Sequence, residues 1–325
     1  MPEEPSQTLL ERAGSTAAGI GSLGGGNPRR RRAIEIGVAV LVVTFLVGFI
    51  ATQWGRLPDY DWDFRPAWLV VSGVGVALFY IIQGEAWRLT LSSLGEHLDA
   101  PTSRAIWGKS IIARYVPTNA LMVVGRVVMA ERHGVGKRAC LASIVYEAGL
   151  AVVTAVMVGA YFVITLPRLE GQPGRYAILI VIPLALAVLH PRVFRRLADF
   201  ALRKLGRPAL PATLPFGRVL ELAVVYLVSW AAIGLGVVGF AAALHPLDAG
   251  DVAYAAAAYP VAFCAAVVTF VVPGGLGTRD AALAISLAAV LPGAVATAIA
   301  VGFRIFQTVI ELLYVAVVTA HGRAR

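Results

Sequence analysis

The stretch Val271-Val-Pro-Gly-Gly-Leu-Gly-Thr-Arg-Asp280 decides how this chain is read. It breaks the backbone pattern and carries charge, yet apolar sequence runs into it from Val252 to Phe270 and out of it from Ala281 to Leu291. Hydrocarbon offers no water to unpaired backbone groups. A Pro-Gly-Gly-x-Gly break at membrane depth is therefore tolerated only where protein or a wet cavity satisfies it. Pro273 stops one helix, while Gly274, Gly275 and Gly277 allow positive φ or close approach. Thr278 is placed to cap the helix that Arg279 and Asp280 begin. Ionisable residues within spans are costly and point to function. The alternative is an interfacial loop whose charges face water.

Composition settles the class around this segment. The chain has 325 residues, 58% hydrophobic and 14% charged, against roughly 25% charged for an ordinary soluble domain. It is an all-α, polytopic membrane helical bundle. The net charge of +9 fits positive-inside loops and anionic lipid headgroups rather than nucleic acid. Cys140 and Cys264 make no disulfide framework, and the scattered histidines have no i, i+4 pair for a metal. No cofactor or metal is expected. No P-loop sequence occurs, which argues against ATP-driven transport by this chain alone.

Residues 1–32 read as a disordered cytoplasmic tail ending in Arg29-Arg-Arg-Arg32, residues 33–320 as the membrane domain, and 321–325 as a short C-terminal tail. Apolar runs suggest helices near 33–52, 66–84, 141–164, 176–190, 218–243, 252–271 and 294–320, about seven or eight spans in all. Segments 105–128 and 278–291 are shorter and read as broken or re-entrant helices; whether 278–291 crosses the membrane is open. Gly234, Gly236 and Gly239 allow close helix contact, within the chain or between chains. The acidic 53–65 loop is read as outside. The basic stretches 85–140 and 190–218, the latter a loop, are read as inside, with both termini cytoplasmic and the chain in the cell membrane.

Three constellations could carry chemistry. In the first, Pro117 interrupts a helical pattern and Asn119 can cap the segment that follows, with Arg114 and Arg126 on either side. A half-helix starting there would aim its positive end at an anion, and arginine offers planar bidentate donors to a phosphodiester. The alternative is an interfacial helix whose arginines snorkel to lipid phosphates. The second is the opening segment itself. Proline precedes arginine by nine residues in one break and by six in the other, so the two are not an established repeat. Interrupted segments in two halves are nevertheless the sequence-level pointer to a transporter's binding site. The third is a stripe in the last span, Arg304, Gln307, Thr308 and Glu311, whose steps of three and four share one helix face. Glu147, inside the third span, is a possible partner for Arg126, Arg279 or Arg304. For Glu147 and Glu311 a structural ion pair is the competing account.

Trp87-Arg88, Arg114-Tyr-Val-Pro117, Gly125-Arg126, Glu147, Pro273-Gly-Gly-x-Gly-x-Arg279-Asp280 and Phe303-Arg304 together resemble the lysylphosphatidylglycerol synthase transmembrane (flippase-like) family, over roughly residues 33–320. Two departures stand out. Asp280 replaces the family's usual glutamate, and Thr118-Asn119 stand where glycine often follows the first proline. The family's two-part members, such as the bacterial multiple peptide resistance factor, also carry a soluble aminoacyl-transferase domain, and nothing in this chain resembles one.

The resemblance implies translocation of a phosphate-containing lipid headgroup without catalysis. The substrate would be an anionic or aminoacylated phosphatidylglycerol, or a polyprenyl-phosphate-linked glycan, made by a separate lipid synthase or glycosyltransferase. Arg114, Asn119, Arg126, Arg279 and Arg304 would meet the phosphate, and Glu147, Asp280 and Glu311 would balance charge or contact a cationic headgroup. A membrane-embedded transferase would need a positioned base, and no histidine adjoins the arginine clusters in sequence. A non-transporting scaffold for an envelope enzyme is a further alternative.

Overall fold

Long apolar runs become long helices. The structure is a computed structural model and describes residues 64–112, 119–166, 190–204, 214–268 and 277–321, with isolated positions between 171 and 187. Its described helices are α1 (Pro66–Ser93), α2 (Ala100–Ile112), α3 (Asn119–Glu131), α4 (Lys137–Thr165), α5 (Pro191–Lys204), α6 (Phe216–Leu244), α7 (Val252–Val268), α8 (Thr278–Leu287) and α9 (Gly293–His321). Four of them, α1, α4, α6 and α9, have 28 or 29 residues and are apolar enough to cross a membrane. At 1.5 Å per residue each is about 42 Å long, more than the ~30 Å hydrocarbon core requires. No strand occurs among the described residues.

Local chemistry sets several helix ends. Pro66 opens α1, where its missing N–H costs nothing. The Asp99 carboxylate accepts from the Thr102 amide at 3.1 Å and caps α2. Gly277 precedes α8 with φ +84°, a conformation that glycine adopts without strain. Thr278, expected as the cap, is instead the first residue of α8, with Gly277 at the cap.

The polarity is arranged for lipid. Exposed apolar residues recur every three or four positions along the long helices: Val70, Val74, Leu78 and Ile81 on α1, and Val309, Leu313 and Val317 on α9. The buried side chains include Ser72, Gln83, Thr90, Thr154, Ser229 and the whole stripe Arg304, Gln307, Thr308 and Glu311. Outward apolar stripes and inward polar groups are what a bundle in hydrocarbon demands.

The closest helix pair is α1 with α6, and the sequence glycines explain it. A Cβ on Gly75 would lie 2.6 Å from the Gly236 nitrogen, and one on Gly239 would lie 2.7 Å from the Ser72 nitrogen. The Ser72 hydroxyl donates to the Gly236 carbonyl at 2.7 Å, locking the seam. Gly234 faces α7, where its Cβ would sit 2.8 Å from the Ala256 carbonyl. That carbonyl lies four residues before Pro260, which has no N–H to offer it. All three glycines therefore serve contacts within the chain.

Several boundaries differ from the sequence reading. The run at 66–84 continues to Ser93, because Glu85, Trp87 and Arg88 lower the hydropathy without ending the helix. Of the 252–271 run, Val252–Val268 is helix, and residues 269–271 lie outside the described residues. Segment 278–291 yields only the 10-residue α8, about 15 Å long, which cannot cross and instead packs against α7 and α9. The loop read at 190–218 contains α5, where Pro191 starts a helix whose apolar positions repeat at helical spacing. Runs 33–52 and 176–190 fall outside the described residues or touch them only at isolated positions.

Candidate functional site

The first expected break falls on residues 113–118, between α2 and α3, and the second on residues 269–276, between α7 and α8; both stretches lie outside the described residues. Arg114, Pro117, Pro273, Gly274 and Gly275 lie outside the described residues. Asn119 is described only as the first residue of α3. What the structure shows is how the helices on either side of the breaks meet.

Seven residues into α3, Arg126 points into the bundle with its side chain 2% exposed and forms an ion pair with Glu147 of α4. Its Nε donates to the Ser110 hydroxyl of α2 at 2.9 Å. Its guanidinium sits 5.3 Å from the Trp87 ring centroid and 6.0 Å from that of Trp107, within cation–π range of both. The second carboxylate oxygen of Glu147 accepts from the Trp107 indole N–H at 3.0 Å. Trp87 in turn donates to Ser143 at 2.9 Å. A buried arginine is tolerated only with such complete pairing.

Beside this pair lies a cavity of about 270 Å³, lined among the described residues by groups from α1, α2, α3, α4, α6, α7 and α8. Arg126, Glu147 and Arg279 are the charged residues in that lining, and Phe79, Trp107, Trp230, Tyr259 and Phe263 supply aromatic walls. Trp230 is the middle residue of the 29-residue α6, so this cavity sits near the centre of a membrane-length helix. Exposed Ala148 also faces the cavity and keeps part of its wall small.

The second arginine comes from the first turn of α8. Arg279 follows Thr278 at the start of α8, and its guanidinium lies 5.2 Å from the Tyr259 ring centroid of α7. The positive end of the α8 dipole accompanies it. Asp280 is not among the lining residues; it interacts electrostatically with Arg279 and bonds back to the Gly277 backbone. A third-position carboxylate that reaches back to the cap residue is half of a capping box.

The α9 stripe supports the wall without lining the cavity. The Tyr80 hydroxyl donates to Glu311 at 2.5 Å. Gln307 Nε2 donates to Tyr80 at 3.2 Å and to Tyr259 at 2.8 Å. Tyr259 therefore links the buried stripe to Arg279. Arg304 is buried, at 8% exposure, and does not line the cavity.

Of the sequence-selected charges, the structure thus gathers Arg126, Glu147 and Arg279 in the lining of one cavity, and Asp280, Arg304 and Glu311 are not among its lining residues. Of the three partners considered for Glu147, Arg126 is the one the structure supplies. The aromatic wall, Ser110, Gln83 and Tyr80 went unselected. Their signal was faint: each is a single polar or aromatic residue in an apolar run. Arg88, part of the motif set, pairs with Glu85, which also contacts Arg104 at 3.2 Å.

Comparison with known proteins gives a family model, described as the lysylphosphatidylglycerol synthase TM region, that matches residues 33–314. No curated protein and no solved structure matches the chain.

Proposed function

The chain belongs to the lysylphosphatidylglycerol synthase TM-region family, and from that premise we propose that it moves a phosphate-bearing lipid headgroup between leaflets by way of the Arg126–Glu147–Arg279 cavity. Membership makes it a membrane protein related to lipid modification or transport. One observation supports the step to translocation: Arg126 of α3 and Arg279 of α8, far apart in sequence, line a single cavity at the mid-length of α6.

The chemistry follows from solvation. A phosphodiester entering hydrocarbon loses its water and pays a large desolvation cost unless fixed donors and charge replace that water. Arg279 supplies charge and planar donors at the cavity. The Arg126–Glu147 pair sets the shape and polarity of the opposite wall while remaining internally neutral. The aromatic rings give an apolar lining that a sliding headgroup can leave, since conduction needs binding that is not too tight. The lipid tails stay outside, against the apolar helix faces. In this reading both termini face the cytoplasm of the cell membrane, and a separate enzyme makes the lipid. The chain itself performs no covalent step.

The test is leaflet exchange of fluorescent phosphatidylglycerol in liposomes holding the purified chain, beside Arg279→Ala. Exchange well above protein-free liposomes that falls at least tenfold in the variant supports translocation. Absence of exchange by folded protein would overturn it.

A further inference from the structure

We propose that the outward face of α1 holds one bilayer phospholipid, with its phosphate on Arg88 and Arg104 and its acyl chains along the apolar stripe that leads to them. This site is separate from the Arg279 cavity and independent of translocation. Val70, Val74, Leu78 and Ile81 are the exposed residues of the stripe. Steps of four and then three carry the same helix face on to Glu85 and Arg88. Arg88 stands five residues before the end of α1, about 7 Å along the axis. A helix of about 42 Å leaves a ~30 Å hydrocarbon core near that level, so the charges fall at the depth of lipid phosphates.

The two arginines come from different helices and are fixed by one carboxylate. Glu85 Oε1 accepts from Arg88 Nε at 2.7 Å, and its Oε2 accepts from Arg104 of α2 at 3.2 Å. The side chains of Arg88 and Arg104 stay 30% and 38% exposed. Each guanidinium has more N–H donors than Glu85 engages. Two guanidinium groups held beside one another present the planar donors that a phosphodiester accepts in pairs.

A lone arginine snorkelling to the interface would need nothing more. Here the surroundings add to the pair. Tyr314 of α9 is 8% exposed and lies within electrostatic reach of both Arg104 and Glu85. Tyr314 Oη and Arg104 Nε are buried and have no hydrogen-bond partner among the described residues. Both groups flank Gly84, where a Cβ would lie 2.8 Å from Tyr314 Oη and 3.6 Å from Arg104 Cγ. Buried donors without an acceptor, beside two arginines, favour an oxygen-bearing anion. The location decides its source. The pair ends a lipid-facing stripe, where bilayer phosphates are abundant and a soluble phosphate must compete with them.

The test is native mass spectrometry of the full chain released from detergent, titrated with dioleoyl phosphatidylglycerol, dioleoylglycerol or glycerol phosphate. One bound phosphatidylglycerol is expected to persist in Arg279→Ala. It is expected to bind at least about tenfold more weakly in Arg88→Gln/Arg104→Gln, which loses the charge-assisted bonds. If that variant does not fold, Glu85→Gln/Arg88→Gln/Arg104→Gln leaves no stranded charge in the cluster and carries the same expectation. Arg192→Gln/Arg195→Gln removes as much charge from α5 and is expected to keep the lipid. Glu85→Gln alone is expected to bind it about threefold more tightly, because the acceptor that competes with the phosphate is gone; a purely structural cluster would bind no better when broken. Unchanged affinity in the Arg88 and Arg104 variants, or equal weakening in the α5 variant or in Arg279→Ala, would overturn the site. Equally tight dioleoylglycerol would show that the phosphate is not used, and equally tight glycerol phosphate that the occupant is not a lipid; either result overturns the proposal. No leaflet exchange is read here, so failure of this site leaves the translocation reading to its own test.

Discussion

Arg126 of α3 and Glu147 of α4 form a buried ion pair whose arginine is wedged between the indoles of Trp87 and Trp107. Because Ser110 and Trp107 of α2 bond to the same two side chains, this one cluster ties together α2, α3 and α4. Its stabilising value lies mostly in what its removal would leave behind.

Glu147→Ala should therefore strand the Arg126 charge and cost about 3 kcal/mol. The double variant Arg126→Met/Glu147→Leu should recover part of that loss, because no buried charge is left unpaired. Thermal unfolding in detergent checks both; equal melting temperatures for the single and double variants would contradict the pairing.

At the α1–α6 seam, Gly239→Ala would place a methyl group 2.7 Å from the Ser72 nitrogen. Backbone cannot swing aside as a side-chain tip can, so about 1–3 kcal/mol of destabilisation is expected. Gly217→Ala, in the same helix with nothing within 4 Å of the added carbon, should be neutral or stabilise by about 0.5–1 kcal/mol. A thermal-shift comparison of the two separates a packing role from helix propensity.

Removing the Tyr80 hydroxyl deletes the donor to Glu311 and an acceptor for Gln307. Tyr80→Phe should cost about 1–3 kcal/mol, since a buried carboxylate loses a bond it cannot replace from water. Gln307 keeps its bond to Tyr259, so exchange activity should fall less in this variant than in Arg279→Ala. Parallel melting and exchange measurements decide it.

Arg279→Lys keeps the charge at the cavity and loses the planar fork and its stacking on Tyr259. Exchange of phosphatidylglycerol should drop about three- to tenfold, less than in Arg279→Ala, because part of the electrostatic gain survives. Identical rates for the lysine and alanine variants would show that the charge itself is not used.

The helical class and the presence of spans were legible because apolar composition and run length are additive properties of sequence. Arg126, Glu147 and Arg279 were legible for a different reason: each is an ionisable residue inside or beside apolar sequence, an expense that demands an explanation. Their convergence was not, since Arg126 and Arg279 lie 153 positions apart and only tertiary packing decides which charges meet. Asp280 and Glu311 carry the same sequence signal as Glu147. The structure has the first bond back to its own helix start and the second lie behind the wall on a tyrosine. The amphipathic α5 was obscured because its five arginines and lysines read first as loop charge.

The central claim is that lipid headgroups pass through the cavity rather than around the bundle. Ala148 faces the cavity, while Val145, one turn away on α4, is 52% exposed on the apolar exterior. With Cys140 and Cys264 replaced, a cysteine is placed at either position, coupled to a bulky maleimide, and leaflet exchange of phosphatidylglycerol is measured. The account expects labelled Ala148→Cys to lose exchange by at least tenfold and labelled Val145→Cys to retain it. Equal exchange by the two labelled proteins would contradict it.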